Sequence, residues 1–188
     1  MAGAMRTAYL DIETTYVGPY KDDRLFKDFA NHQITVIGIR IVNGGDDFFH
    51  QLVGQDATRE NLMKLLEGVE RLVTYNGRSL PDKLKGYIGF DFPVIAAQLG
   101  VVLDKLYPHE DLCPLCWKAN LWGGLKKVEQ ALGLKRQLPG KDGKWADLTW
   151  QEFQKTRDQR LLDDLLAYNR EDVLMLARLE EKLAQRRG

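Results

Sequence analysis

The spacing of apolar and polar residues changes several times along the chain, and each change marks an element. Tyr9-Leu10-Asp11-Ile12-Glu13-Thr14-Thr15 alternates, so a strand here puts Leu10 and Ile12 on one face and Tyr9, Asp11 and Glu13 on the other. Ile34 to Val42 is β-branched and almost continuously apolar, the pattern of a strand covered on both faces. Asn43-Gly44-Gly45-Asp46 reads as a hairpin turn, with Asp47 to Val53 returning. A helical period follows: Leu62, Leu65, Leu66, Val69 and Leu72 share one stripe of a helix expected from Arg59 to Leu72, capped by Asp56 or Thr58. Leu72 to Tyr75 is a short fourth strand closed by Asn76-Gly77, and Phe90-Asp91-Phe92-Pro93 opens a helix through Leu99. Leu106 to Leu112 supplies a last strand, Gly124 to Leu132 a helix ended by Gly133, Pro139 to Lys144 a loop, and Thr149 to about Arg157 a short helix. The closing helix runs from about Gln159 to Gln185. Tyr16 to Gln33, with its Gly18-Pro19 turn and the charges of Lys21 to Arg24, reads as an exposed excursion. This order predicts an α/β protein with a five-stranded mixed sheet. Its first three strands are antiparallel, the later ones parallel, and helices cover both faces.

Length and composition narrow the class. A chain of 188 residues suits one domain with a real core, taken as 1–188, and 44% hydrophobic with 29% charged residues is an ordinary soluble mix. No apolar run approaches the length of a membrane span, and Met1 to Thr7 is too short and polar for a signal peptide, so a cytoplasmic protein is expected. Lys and Arg total 27, as do Asp and Glu, so net charge does not select a partner. Cys113-Pro114-Leu115-Cys116 is the only cysteine pair, and a structural zinc site usually wants two such pairs. No zinc is expected; two semi-buried thiols are.

The acids carry the chemistry. A first strand usually becomes central and covered, and neighbouring carboxylates such as Asp11 and Glu13 are then costly without compensation. A divalent cation with a preference for carboxylate oxygen, Mg²⁺ or Mn²⁺, supplies it. On the closing helix the stripe Leu161, Leu165, Met175 or Leu176, Leu179, Leu183 includes positions 168 and 172, which are Tyr168 and Asp172. Arg170 and Glu171 fall off that stripe, free to stay in water. An inward Asp without an obvious basic partner signals a metal, a buried hydrogen-bond network or a different helical phase. Asp91, at a strand-end-to-helix junction, is either a fourth acid of the same site or a plain N-cap. Four acids from separated segments fit two divalent cations about 4 Å apart that act on a phosphodiester.

These residues resemble the DEDDy branch of the 3′–5′ exonucleases, on the ribonuclease H-like fold. Asp11-Ile12-Glu13-Thr14-Thr15 resembles its first motif, Asn76-Gly77 with Phe90-Asp91-Phe92-Pro93 its second, and Tyr168-Asn169-Arg170-Glu171-Asp172 its third, Tyr-x-x-x-Asp. His109 to Leu112, Leu125 to Leu134 and Tyr168 to Leu176 look most like the YprB-type subgroup of predicted exonucleases. The resemblance implies a three-layer α/β/α fold and two Mg²⁺ or Mn²⁺ ions. Asp11 would be shared by both, Glu13 and Asp172 would complete the first site, and Asp91 would serve the second. It makes Tyr168 the residue that orients the attacking water. The family pattern has about two residues between Gly77 and Phe90, whereas this chain has Arg78 to Gly89, an insertion that either guides the incoming strand or shifts Asp91.

The implied substrate is the 3′ end of single-stranded DNA or RNA. Lys118 to Lys144 concentrates Lys118, Lys126, Lys127, Lys135, Arg136, Lys141 and Lys144 against Glu129 and Asp142, with Trp117, Trp122 and Trp145 in or beside it. Basic residues among aromatics suit a single strand, by tracking phosphates and stacking bases. Thr14, Asn76, Arg78, Lys126 and Lys127 are the candidate contacts. Rival readings are a structure-selective endonuclease on the same fold and a nucleic-acid-binding subunit with little turnover.

Overall fold

Alternation along the first strand decides which side chains meet which layer. In the computed structural model, which describes residues 5–18, 27–79 and 87–186, strand β1 (Thr7–Tyr16) is the middle of a five-stranded sheet. The others are β2 (His32–Asn43), β3 (Asp46–Val53), β4 (Arg71–Thr74) and β5 (His109–Asp111), in the order β3-β2-β1-β4-β5. β1, β2 and β3 pair antiparallel and β4 and β5 join in parallel, as the sequence pattern predicts. The Lys21–Arg24 charges, the Pro19 turn and Lys83 and Lys85 of the insertion lie outside the described residues.

Two apolar layers form on opposite sheet faces. Ala8, Leu10 and Ile12 pack with Ile37, Ile39 and Ile41 against α1 (Arg59–Leu65) and α2 (Asp91–Leu99), through Leu62, Phe92, Val94 and Ile95. Tyr9 and Val73 face α4 (Leu112–Lys118), α5 (Leu125–Ala131) and α7 (Gln159–Gln185), through Leu112, Cys116, Val128, Leu176 and Leu179. A short α3 (Leu103–Leu106) precedes β5, and α6 (Gly143–Thr156) packs on α7 around Val36, Ala146, Leu165 and Tyr168. The acids of β1 therefore point toward α7, the helix that carries the third motif.

Several boundaries differ from the sequence reading. The helix expected to reach Leu72 stops at Leu65. Gly68 turns the chain through a positive φ of 71°, and Leu72 pairs as a strand residue beside Ala8. Its cap is Thr58, whose Oγ1 accepts from Asn61 N at 3.2 Å. The last strand is confined to His109–Asp111, because α3 occupies Leu106 and Asp111 caps α4 by accepting from Cys113 N. The helix expected from Thr149 begins at Gly143, nucleated by the Asp142 carboxylate on Trp145 N. Cys113 and Cys116 ride on α4 as free, buried thiols, held up at about 11 and about 12 chiefly by burial. Among the described residues no helix is long and apolar enough to cross a membrane.

Candidate metal centre and active site

Asp11, Glu13 and Asp172 each offer an oxygen within 4.8 Å of the others. Two come from alternate positions of β1 and the third from mid-α7, so the cluster exists only because α7 crosses the Asp11 face of the sheet. Gly38 permits that crossing. It pairs with Asp11 across the β1–β2 ladder, and a Cβ there would lie 2.2 Å from Asn169 Oδ1 and 2.9 Å from Val173 Cγ2. In the space so left, Asn169 Nδ2 donates to Asp11 Oδ2 at 3.2 Å, while its Oδ1 accepts from Gln51 Nε2 at 3.0 Å.

Asp91 sits outside that 4.8 Å group but within its field. It is the first residue of α2, and Phe90 occupies the N-cap position without a side-chain bond, so capping does not explain Asp91. Asp91 Oδ2 is buried with no hydrogen-bond partner. The neck of the insertion, just before Asp91, is stapled by backbone hydrogen bonds. Gly89 N donates to Arg78 O at 2.7 Å, Phe90 N to Asn76 O at 2.6 Å, and Phe92 N to Gly77 O at 2.8 Å. Gly89 must be glycine for this closure, since a Cβ would lie 2.1 Å from Asn76 O. From beneath, the buried Asp111 carboxylate accepts from Asn76 N at 2.8 Å and Arg78 N at 3.3 Å.

Electrostatics separates these acids from ordinary surface carboxylates. Enclosure by the protein is the largest cause raising Asp11, Glu13 and Asp91 well above the usual range, and mutual repulsion adds to it. For Asp11 the next cause is Asp172; for Glu13 it is Asp11; for Asp91 it is Asp11, then Asp111. Asp172 is raised by burial and held back by Arg136 and Lys126.

Arg136 corrects the sequence reading that Asp172 lacks a basic partner. Its guanidinium ion-pairs with Asp172 Oδ1 and is bidentate to the buried Glu129, at 2.5 and 2.8 Å. Arg136 is thus an internal counter-ion rather than part of a basic surface. Glu171 is a second correction. It is buried, with its carboxylate accepting from Gln137 N and from Leu138 N, the latter at 3.1 Å, which ties the Arg136 loop to α7. Neither pairing is visible from helical period, because both partners lie some 35 residues away in an irregular segment.

Tyr168 is buried one turn before Asp172, its ring edge-on to Trp145 at 5.5 Å. Lys126 Nζ donates to Tyr168 Oη at 2.6 Å and to Lys141 O at 2.5 Å. With a lone pair of that oxygen engaged, the phenol proton is left for Asp172, whose carboxyl this hydrogen bond favours in its charged form. A cleft of about 280 Å³ opens here, lined by Asp11, Tyr75, Gly124, Leu125, Lys126, Lys127, Tyr168 and Asp172. Lys126 and Lys127 thus join the acids. Thr14 is adjacent on β1, with its Oγ1 3.2 Å from His32 Nδ1. Asn76 and Arg78 are absent from the lining of that cleft, their backbone groups serving the neck of the insertion.

The donor set fits divalent cations. All its ligands are carboxylate oxygens, three of them converge, and the buried Asp91 Oδ2 makes no hydrogen bond. The family comparison agrees with this chemistry. The family RNase_H_2, of the RNase_H superfamily, matches residues 8–184. The chain belongs to that superfamily, whose nucleases hydrolyse phosphodiesters with divalent metals. No curated protein matches the chain.

Proposed function

We propose that this protein is a metal-dependent 3′–5′ exonuclease of the DEDDy branch, similar to its YprB-type subgroup, acting on single-stranded or frayed 3′ ends of DNA or RNA. Residues 1–188 act as one catalytic domain with an insertion at 78–89, and a cytoplasmic setting is part of the proposal. The observation that carries it is the convergence of Asp11, Glu13 and Asp172 within 4.8 Å, with Tyr168 buried beside them.

Asp11, Glu13 and Asp172 would hold one Mg²⁺ or Mn²⁺ ion, and Asp91, with Asp11 shared, a second. When bound, such ions offset the repulsion among the carboxylates, make water a better nucleophile and steady the departing oxygen of a phosphodiester. The remaining work falls to side chains of this chain. Tyr168, fixed by Trp145 and Lys126, orients the attacking water from the Asp172 side of the cleft. Lys126 and Lys127 line the same cleft and meet the phosphate oxygens. Asn169 keeps Asp11 in one orientation, and Arg136 does so for Asp172.

The test uses a 5′-labelled single-stranded oligonucleotide with Mn²⁺ or Mg²⁺. Stepwise shortening from the 3′ end supports the proposal, and Asp11→Asn should abolish it. Cutting of a circular strand would point to an endonuclease, and binding without release of nucleotide to a non-catalytic subunit.

A further inference from the structure

We infer that Trp122 is a stacking platform for a base of the bound single strand, placed where the strand leaves the acid cleft. The inference extends the nuclease reading by naming the feature that selects an unpaired strand. Trp122 is 61% exposed. Tryptophan offers a broad apolar face with one polar edge, which is why it is enriched at binding surfaces.

The ring is built into a ladder. Trp122 stacks on Trp117 with centroids 6.1 Å apart and planes 14° from parallel, and Trp117 meets Tyr87 edge-on at 4.9 Å. The ladder is tied to the candidate active site at two points. Tyr87 Oη donates to Asn76 Oδ1, in the second motif. Tyr75, which lines the cleft, donates from its hydroxyl to Gly123 O at 2.6 Å, fixing the backbone directly after Trp122. Gly124, Leu125, Lys126 and Lys127 continue from there into the cleft wall. Lys118 on α4 and Lys127 on α5 are both exposed, so the turn that carries Trp122 is bracketed by positive charge and the acids lie beyond. A phosphodiester chain with its bases unstacked matches this succession: an aromatic face for a base, ammonium groups for phosphates, then the carboxylates. A duplex does not, because its bases already stack on one another.

The experiment measures binding with the metal chelated, so that no turnover intervenes. The probes are a 12-residue oligothymidylate and an abasic strand of equal length and charge, each titrated into the full chain by fluorescence anisotropy. Wild type should bind oligothymidylate more tightly than the abasic strand. Trp122→Ala should weaken oligothymidylate binding on the order of tenfold and leave the abasic strand unchanged. Trp122→Phe, which keeps a ring, should retain most of the affinity. Intrinsic tryptophan fluorescence should be quenched by oligothymidylate, and the quench should shrink in Trp122→Phe. The inference is overturned if Trp122→Ala leaves both affinities unchanged or weakens both equally, or if wild type does not distinguish the strands. Binding that depends on Trp122 without nucleotide release would leave this inference standing and remove the nuclease reading. Release unaffected by Trp122→Ala, with unchanged affinity, would do the reverse.

Discussion

Gly38 stands so close to Asn169 that a methyl group on it would lie 2.2 Å from the Asn169 Oδ1. Asn169 cannot withdraw without releasing Asp11, to which its Nδ2 donates at 3.2 Å. A single hydrogen on Gly38 thus sets how near α7 comes to β1, and with it whether Asp172 reaches Asp11. Gly38→Ala should destabilise the fold by about 2 kcal/mol or more through overpacking, and should weaken Mn²⁺ binding as Asp172 is pushed away. Denaturant melts and a Mn²⁺ titration check both. Adding Asn169→Ala to Gly38→Ala should recover part of the stability by removing the clash, but not the metal affinity.

Arg136 is buried between Glu129, Glu171 and Asp172, with side-chain exposures of 8% for Arg136 and 2% for Glu129. Arg136→Met strands two carboxylates in the interior. Breaking a buried charge network of this kind costs about 3–5 kcal/mol, so the variant should unfold at markedly lower denaturant. Arg136→Lys should recover only part, since an ammonium cannot reproduce the bidentate grip on Glu129.

The pH dependence should change sign with metal. Without metal, the folded pKa values of Asp11, Glu13, Asp91 and Asp172 are raised above their unfolded ones, chiefly by burial. The folded state then binds more protons. The stabilisation is full below the unfolded carboxylate range near pH 4 and is lost as pH rises through the folded values. His109 acts oppositely, because burial lowers it from 6.5 to about 4. Its share is full above the unfolded value and lost as pH falls from there through the folded one. The chelated protein should therefore melt lower at about pH 7.5 than at about pH 5.5, and saturating Mn²⁺ should reverse the order. In the metal-loaded protein His109→Gln should flatten the acid side. Thermal melts across pH, with chelator and with Mn²⁺, read out both slopes.

Tyr168→Phe keeps the ring against Trp145 and removes only the hydroxyl held by Lys126 at 2.6 Å. Nucleotide release should fall by about 10- to 100-fold with stability and Mn²⁺ binding little changed. An unaltered rate would remove Tyr168 from the reaction.

What the sequence reveals here follows the range of its signals. Alternation in β1 places Leu10 and Ile12 in one core and Tyr9, Asp11 and Glu13 on the opposite face, because strand geometry is local. The period of α7 puts Tyr168 and Asp172 inward, and its ends at Gln159 and Gln185 fall where the pattern sets them. Arg136 is a different matter. Read along the chain it belongs to a run of basic residues, and only folding turns it onto Asp172 and Glu129. Glu171 escapes the period rule because its partners are backbone N–H groups of a loop, which leave no mark in side-chain pattern. Gly38 carried a faint signal, a lone glycine in a β-branched strand, which marks close approach by another part of the chain.

Asp11, Glu13, Asp91 and Asp172, from three separate segments, should together be stabilised by divalent cations. The most direct measurement is calorimetric titration of Mn²⁺ into the chelator-treated protein, beside Asp11→Asn. Wild type should take up about two ions per chain and melt at a higher temperature once loaded, and Asp11→Asn should lose both effects. A wild-type protein that takes up no Mn²⁺ at millimolar concentration, or one that Asp11→Asn leaves unchanged, would contradict this expectation.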